Sequence, residues 1–303
     1  MREWIIQLQK ALPKLSLRTD VPMRELTSFH IGGPVDVLAE PDSAESCAAL
    51  LAYIQKQKLP YFVMGKGSNL LVGDGGIRGV MIRIRDNMKQ IKVDDRLLIA
   101  EAGASIEAVS YRAALEGLSG LEFACGIPGC VGGAVMMNAG AYEGEMKQVL
   151  HSVLAMDENG EIHELGLSEL ELSYRHSIFT DKKWVILEAG FLLKPSARGE
   201  ILERMAELTR KREEKQPLEW PSVGSFFKRP VGYFTGKLIM DAGLCGFRIG
   251  DVQVSEKHCG FLINVGEATA ADVIRLRDEI IRIIKEKNGV TLEPEVKMIG
   301  EFK

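Results

Sequence analysis

Two glycine-rich segments carry the clearest chemical signal in this sequence. The run Gly65-Lys66-Gly67-Ser68-Asn69-Leu70-Leu71-Val72 sets a tight glycine turn between two β-prone stretches. Glycine lets backbone approach a ligand closely, and successive turn N–H groups form a nest for an anion such as a pyrophosphate. The dinucleotide-binding fingerprint is not met: Leu70 stands where a third glycine is required, and a strand rather than a helix is predicted to follow. Taken alone, the segment also reads as a plain β-turn. The second segment runs from Gly120 to Tyr142, with glycines at 120, 126, 129, 132, 133 and 140 among small and apolar residues. So much glycine costs conformational entropy on folding, and a surface linker would be more polar. A backbone-lined pocket for a flat, phosphorylated ligand therefore stands beside the plainer reading of a packing turn.

The elements that must position these turns alternate between β character and helical period. A short amphipathic helix is predicted at the N-terminus, starting Met1-Arg2-Glu3-Trp4, in place of a signal peptide. A strand is predicted over Val35 to Ala39, then a helix capped by Asp42 and Glu45 and running to about Lys58. Strands follow at Tyr61 to Met64, Leu70 to Val72, Val80 to Ile84, Ile91 to Val93 and Leu97 to Ala100. The last four read as one local sheet with tight connections. A helix over Ser105 to Leu115, a hairpin turning at Glu158-Asn159-Gly160 and a strand from Val185 to Leu193 complete an α+β region. A charged helix over Arg198 to Lys215 marks a change of composition, and the main boundary is placed near residue 200. Beyond it are predicted a strand at Phe261 to Val265, a helix over Ala270 to Lys287 with Val273, Leu276, Ile280 and Ile284 on one face, and a last strand at Val296 to Ile299.

With 303 residues the chain is long enough for two or three domains, and 46% hydrophobic with 26% charged residues is the composition of an ordinary folded protein. A net charge of −4 excludes the basic footprint of a nucleic-acid binder, and no run is long and apolar enough for a transmembrane helix. Cys47, Cys125, Cys130, Cys245 and Cys259 form an odd set without metal-ligand spacing. They read as free thiols in a reducing, cytoplasmic compartment, with no metal site expected.

The segments Gly65 to Val72 and Gly126-Ile127-Pro128-Gly129 through Asn138-Ala139-Gly140, preceded by Thr27 to Gly33, resemble the FAD-binding half of the UDP-N-acetylenolpyruvoylglucosamine reductase family. Ser173 to Ser177, Gly224 to Lys228 and Leu292 to Lys297 agree in order and spacing, so the resemblance covers roughly residues 24 to 300. It implies an α+β fold: a two-part FAD-binding domain of the vanillyl-alcohol-oxidase/PCMH type over 1–200, followed by a smaller α/β substrate-binding domain over 201–303. FAD would be held by Gly65, Lys66, Gly67, Ser68, Asn69, Leu70, Gly126, Ile127, Pro128, Gly129, Gly132, Gly133, Ala134, Asn138, Ala139 and Gly140. NADPH would be the reductant, UDP-N-acetylglucosamine enolpyruvate the substrate, and the protein a monomer with small-molecule partners and neither nucleic acid nor membrane.

By the same resemblance Arg175, Ser225 and Glu295 carry catalysis. Hydride addition to the terminal carbon of an enol ether conjugated to a carboxylate moves charge toward that carboxylate. A permanently protonated Arg175 would stabilise it, Ser225 would give a proton to the neighbouring carbon, and Glu295 would assist through its proton or its field. Without the resemblance these three read as a surface salt bridge, a turn serine and a solvent-facing strand glutamate. Tyr174, Lys215 and Arg229 are implied substrate contacts, Arg229 standing where many relatives have asparagine. About fifty residues separate Arg175 from Ser225, which matches the shorter form of the family and leaves the substrate-capping tyrosine of the longer form without a counterpart. His258 is open to a pocket-lining, cap or core role. Competing readings are a flavin oxidase or dehydrogenase acting on an alcohol, and a non-catalytic flavin-binding module.

Overall fold

Hydrophobic periodicity, caps and turns translate into seven helices and a set of short strands in the computed structural model, which describes residues 3–302. Met1, Arg2 and Lys303, at the ends of the expected helix and domains, lie outside the described residues. The chain forms two compact units, each assembled from segments distant in sequence. One takes the residues up to Thr19, Val37–Lys66 and Gly79–Lys211; the other takes Asp20–Asp36, Gly67–Arg78 and Arg212 onward.

The first unit is built on a five-stranded antiparallel sheet in the order Ile162–Gly166, Leu150–Met156, Val185–Leu192, Leu97–Glu101, Ile91–Asp94. Alternation along its strands sends Leu98, Ala100, Val153, Ala155, Ala189 and Phe191 into one core. Each large aliphatic or aromatic side chain so buried contributes about 1.5–3 kcal/mol. Helices α1 (Glu3–Ala11), α2 (Ala44–Gln57), α3 (Ile106–Leu115) and α4 (Val131–Met136) belong to this unit. In α2 the apolar stripe Cys47, Leu50, Leu51 and Ile54 is buried. Its cap is Ser43 rather than the expected Asp42, because Ser43 and Ser46 exchange side-chain to backbone hydrogen bonds. At the turn of the 150–166 hairpin the Asp157 carboxylate accepts the N–H groups of Asn159 and Glu161 at 2.8 and 3.0 Å, and Gly160 takes φ +85°.

In the second unit an antiparallel sheet runs Ser222–Ser225, Phe261–Asn264, Val252–Val254, Arg248–Ile249. Helix α5 (Arg198–Lys215) ends here, α6 (Thr235–Asp241) follows the first strand, and α7 (Ala270–Asn288) buries Val273, Leu276, Ile280 and Ile284. The start of α7 is held twice: Thr269 and Asp272 form a capping box, and the Asp74 carboxylate accepts the N–H groups of Ala270 and Ala271 at 2.8 and 3.0 Å. A carboxylate there meets the positive end of the helix dipole. Gly289 closes the helix at φ +69°.

Two expectations are corrected. The four strands between 70 and 101 do not make one local sheet. Leu70–Val72 pairs in parallel with Lys297–Ile299, Ile77–Arg83 pairs in parallel with Tyr61–Met64, and the hairpin of Ile91–Asp94 with Leu97–Glu101 joins the five-stranded sheet. Parallel partners far along the chain leave no turn signal in a local window. The cysteines are not all thiols either: Cys245 and Cys259 form a disulfide across 14 residues, while Cys47, Cys125 and Cys130 are outside it, reduced and buried. Burial raises the Cys47 thiol to about 12. Thiol titration of the native protein under non-reducing conditions should accordingly find no reactive group, rising to three on unfolding and to five after reduction. Five without reduction would remove the disulfide. Among the described residues no helix is long and apolar enough to cross a membrane.

Candidate active site

The two glycine segments meet inside the first unit. A methyl group at Gly65 would overlap the Sγ of Cys130, the residue immediately before α4. That buried sulfur takes the space a side chain at Gly65 would need, so glycine there lets the first turn lie on the second loop with the thiol in place. Around this contact the N–H groups of Lys66, Gly126, Gly129 and Gly133 donate to no protein acceptor among the described residues. Gly67 and Ser68, which belong to the other unit, leave theirs undonated as well. Unspent backbone donors beside glycines match the demands of a phosphate-bearing cofactor such as FAD. Other expected cofactor residues spend their N–H groups internally: Ile127 on Ala124, Gly132 on Ala102, Ala134 on Cys130 and Ala139 on Ala134. These shape the loop.

Asn138 is committed to the protein. It is buried at φ +40°, its amide nitrogen donates to Glu145 Oε2 at 2.9 Å and to the Ser173 carbonyl at 3.1 Å, and its Oδ1 accepts the Lys147 N–H at 2.9 Å. Ser173 opens the tight turn that carries Arg175. Ser173 and His176 exchange both backbone hydrogen bonds at 3.2 Å, leaving Tyr174 and Arg175 at the tip with Arg175 at φ +55°. The guanidinium lies 5.3 Å from the centre of the Tyr174 ring, and the buried Ser177 hydroxyl donates to the Met136 carbonyl at 2.8 Å. The expected catalytic arginine is thus tied at both ends of its turn to the glycine-rich loop.

In the second unit Ser225 ends the first strand after Gly224, which takes φ +76° where pairing with Phe261–Asn264 becomes irregular. Its hydroxyl is exposed and makes no hydrogen bond among the described residues. The next peptide anchors it: the Phe226 N–H donates to the Gly260 carbonyl at 2.9 Å, and the Phe226 carbonyl accepts the Glu295 N–H at 2.8 Å. Phe226 and Phe227 are both buried, with rings edge to face at 5.1 Å. Asn69 joins this group, donating from its side chain to the Glu295 carbonyl at 3.3 Å and accepting the Lys297 N–H at 3.1 Å. Ser225, Glu295 and Asn69 are therefore brought together, and Arg175 stands in the other unit.

Lys215 is the exposed last residue of α5. Arg229 is exposed, donates from Nε to the Tyr233 carbonyl at 3.2 Å and stacks on Phe234 at 3.9 Å, in a loop closed by the Thr235 hydroxyl donating to the Lys228 carbonyl. The bracing roles of Asn138 and Phe226 were not legible beforehand. Asparagine tolerates left-handed φ better than most residues, which is the local signal Asn138 leaves; Phe226 leaves none.

Residues 35–166 match the family described as FAD binding domain, and residues 216–299 match the C-terminal domain of UDP-N-acetylenolpyruvoylglucosamine reductase. A UDP-N-acetylenolpyruvoylglucosamine reductase of Agathobacter rectalis is 51% identical, over 99% of each chain. One from Enterococcus faecalis is 47% identical, over 96% of this chain and 97% of its own. The crystal structure of the reductase from Thermus caldophilus superposes with a TM-score of 0.80 at 34% identity, covering 94% of this chain and 98% of that one. With free backbone donors at two joined glycine turns, these matches define an α+β FAD-binding oxidoreductase. More narrowly, the chain belongs to the UDP-N-acetylenolpyruvoylglucosamine reductase family.

Proposed function

We propose that this protein reduces the enolpyruvyl group of UDP-N-acetylglucosamine enolpyruvate to give UDP-N-acetylmuramate, using NADPH, in peptidoglycan precursor synthesis in the cytoplasm. In this reading residues 1–200 serve the cofactor and 201–303 the substrate, and the monomer is the working unit. The carrying observation is that Phe226, the neighbour of Ser225, accepts the Glu295 N–H on its carbonyl, which supports a proton donor and an acid acting as one group. FAD would supply the hydride chemistry there. The backbone N–H groups of Lys66, Gly126, Gly129 and Gly133, which donate to no protein acceptor among the described residues, would hold it. Arg175 binds the substrate carboxylate and stabilises the charge that gathers there. Ser225 gives its hydroxyl proton to the carbon beside the carboxylate, and Glu295 supports that transfer. Tyr174, Lys215 and Arg229 contact the sugar nucleotide.

Purified protein should be yellow, bleach with NADPH and recover its colour when UDP-N-acetylglucosamine enolpyruvate is added. A colourless protein that cannot be reconstituted with FAD, or a bleached one that the sugar nucleotide leaves bleached, would overturn the proposal.

A further inference from the structure

His258 lies outside the catalytic set, yet its ring holds Gly260, the residue whose carbonyl holds the peptide N–H that follows Ser225. Its Nδ1 accepts the N–H of Gly260 at 3.1 Å. The carbonyl of the same Gly260 accepts the N–H of Phe226 at 2.9 Å, and the Phe226 carbonyl accepts the N–H of Glu295 at 2.8 Å. A series of hydrogen bonds thus links the imidazole, through the residues Gly260 and Phe226, to the backbone beside both proposed proton-handling residues.

The ring is well fixed. The His258 N–H donates to the Ser255 hydroxyl oxygen at 3.3 Å, and its carbonyl accepts the Phe261 N–H at 2.9 Å. Its ring packs edge to face on Phe261 at 4.9 Å. Side chains at Gly236 and Gly260 would press on it, with a methyl at Gly260 only 2.9 Å from Cε1. Burial keeps the imidazole below the usual histidine range, which favours the neutral form whose Nδ1 accepts a proton. Accepting from Gly260 then leaves the ring proton on Nε2.

We infer that His258 is a positioning residue for the proton-transfer step: its Nδ1 orients the Gly260 peptide, which sets the place of Ser225 relative to Glu295. This rests on the proposed roles of Ser225 and Glu295. A simple space-filling histidine could be replaced by any side chain of similar bulk. A positioning one requires an acceptor at the Nδ1 position. Asparagine places its Oδ1 close to that point, glutamine carries its acceptor one methylene further out, and leucine has none.

The test measures both half-reactions by stopped flow in the FAD-loaded protein for wild type, His258→Asn, His258→Gln and His258→Leu. Flavin reduction by NADPH should stay within about twofold of wild type in all of them. Reoxidation by the enolpyruvyl sugar nucleotide should slow by roughly 10- to 100-fold in the Leu and Gln variants, as expected for a reacting group displaced by a fraction of an ångström to one ångström. The Asn variant should remain within about threefold. If leucine prevents folding, the contrast between Asn and Gln decides. Equal rates in Asn and Gln, or parallel loss of both half-reactions, would overturn the inference. Wild-type flavin that the substrate fails to reoxidise would instead defeat the reading on which the inference rests.

Discussion

Ser225→Ala is expected to leave flavin reduction by NADPH within about twofold of wild type and to slow reoxidation by the enolpyruvyl sugar nucleotide by about 10²–10⁴-fold, the range for a positioned general acid. The split follows from where the hydroxyl is proposed to act. In the proposed mechanism no proton passes through Ser225 while the nicotinamide gives up its hydride, whereas the carbon beside the substrate carboxylate cannot finish the reaction without one. The side chain is exposed and unbonded among the described residues, and its neighbours are held by backbone groups that alanine retains. Stability should therefore change by less than about 0.5 kcal/mol, as for surface substitutions generally. Rapid-mixing absorbance at the flavin band reads both steps. Equal loss in both half-reactions would show that the variant damages the cofactor site and would remove Ser225 from its role.

The fold was legible wherever the chain obeys a local period. The stripe Val273, Leu276, Ile280 and Ile284 and the turn at Asn159-Gly160 are visible in short windows, and α7 and the 150–166 hairpin fall where they point. Pairing between distant segments was not legible. Leu70–Val72 finds its partner at Lys297–Ile299, and nothing in either triplet names the other. The short strands Arg248–Ile249 and Val252–Val254 and the helix α6 also escaped notice, because two to seven residues hold too little of a period to register. The disulfide is of the same kind: Cys245 and Cys259 meet through two turns of the second unit, and an odd cysteine count argued against pairing.

At the site, side chains with charge or a hydroxyl were nominated because the family resemblance names them. The groups that hold them were not. Asn138 was expected to touch the cofactor, and its side chain also bonds Glu145, Ser173 and Lys147, a bracing role its type does not announce. Phe226 passes for a plain core residue, though its peptide binds the Ser225 segment to Glu295. Backbone hydrogen bonds carry no residue type, so a sequence cannot announce them. The glycines are the exception, since a missing side chain is itself a residue type, and that makes the contact at Gly65 the sharpest test of the site.

Gly65→Ala is expected to abolish retention of FAD through purification, weakening its affinity by about 100-fold or more, and to cost roughly 1–3 kcal/mol of stability, as overpacking in a filled interior does. The new methyl would occupy the place of the Cys130 sulfur, and Cys130 is buried, so the thiol would have to turn within a packed interior or give way with its loop. The first turn would have to lift from the loop before α4, separating the free N–H groups of Lys66 from those of Gly126, Gly129 and Gly133. The clash is with one atom, because the next neighbour of that methyl, Cys130 Cβ, lies at 3.7 Å, an ordinary contact. Removing the sulfur should then repair the damage. Cys130→Ala alone should cost only about 1 kcal/mol for the small void, and Gly65→Ala with Cys130→Ala should regain FAD affinity to within about tenfold of wild type. Flavin fluorescence titration and thermal melts of the four proteins supply the cycle. Additive losses in the double variant would mean that Gly65 is required for something other than the closeness of the two turns.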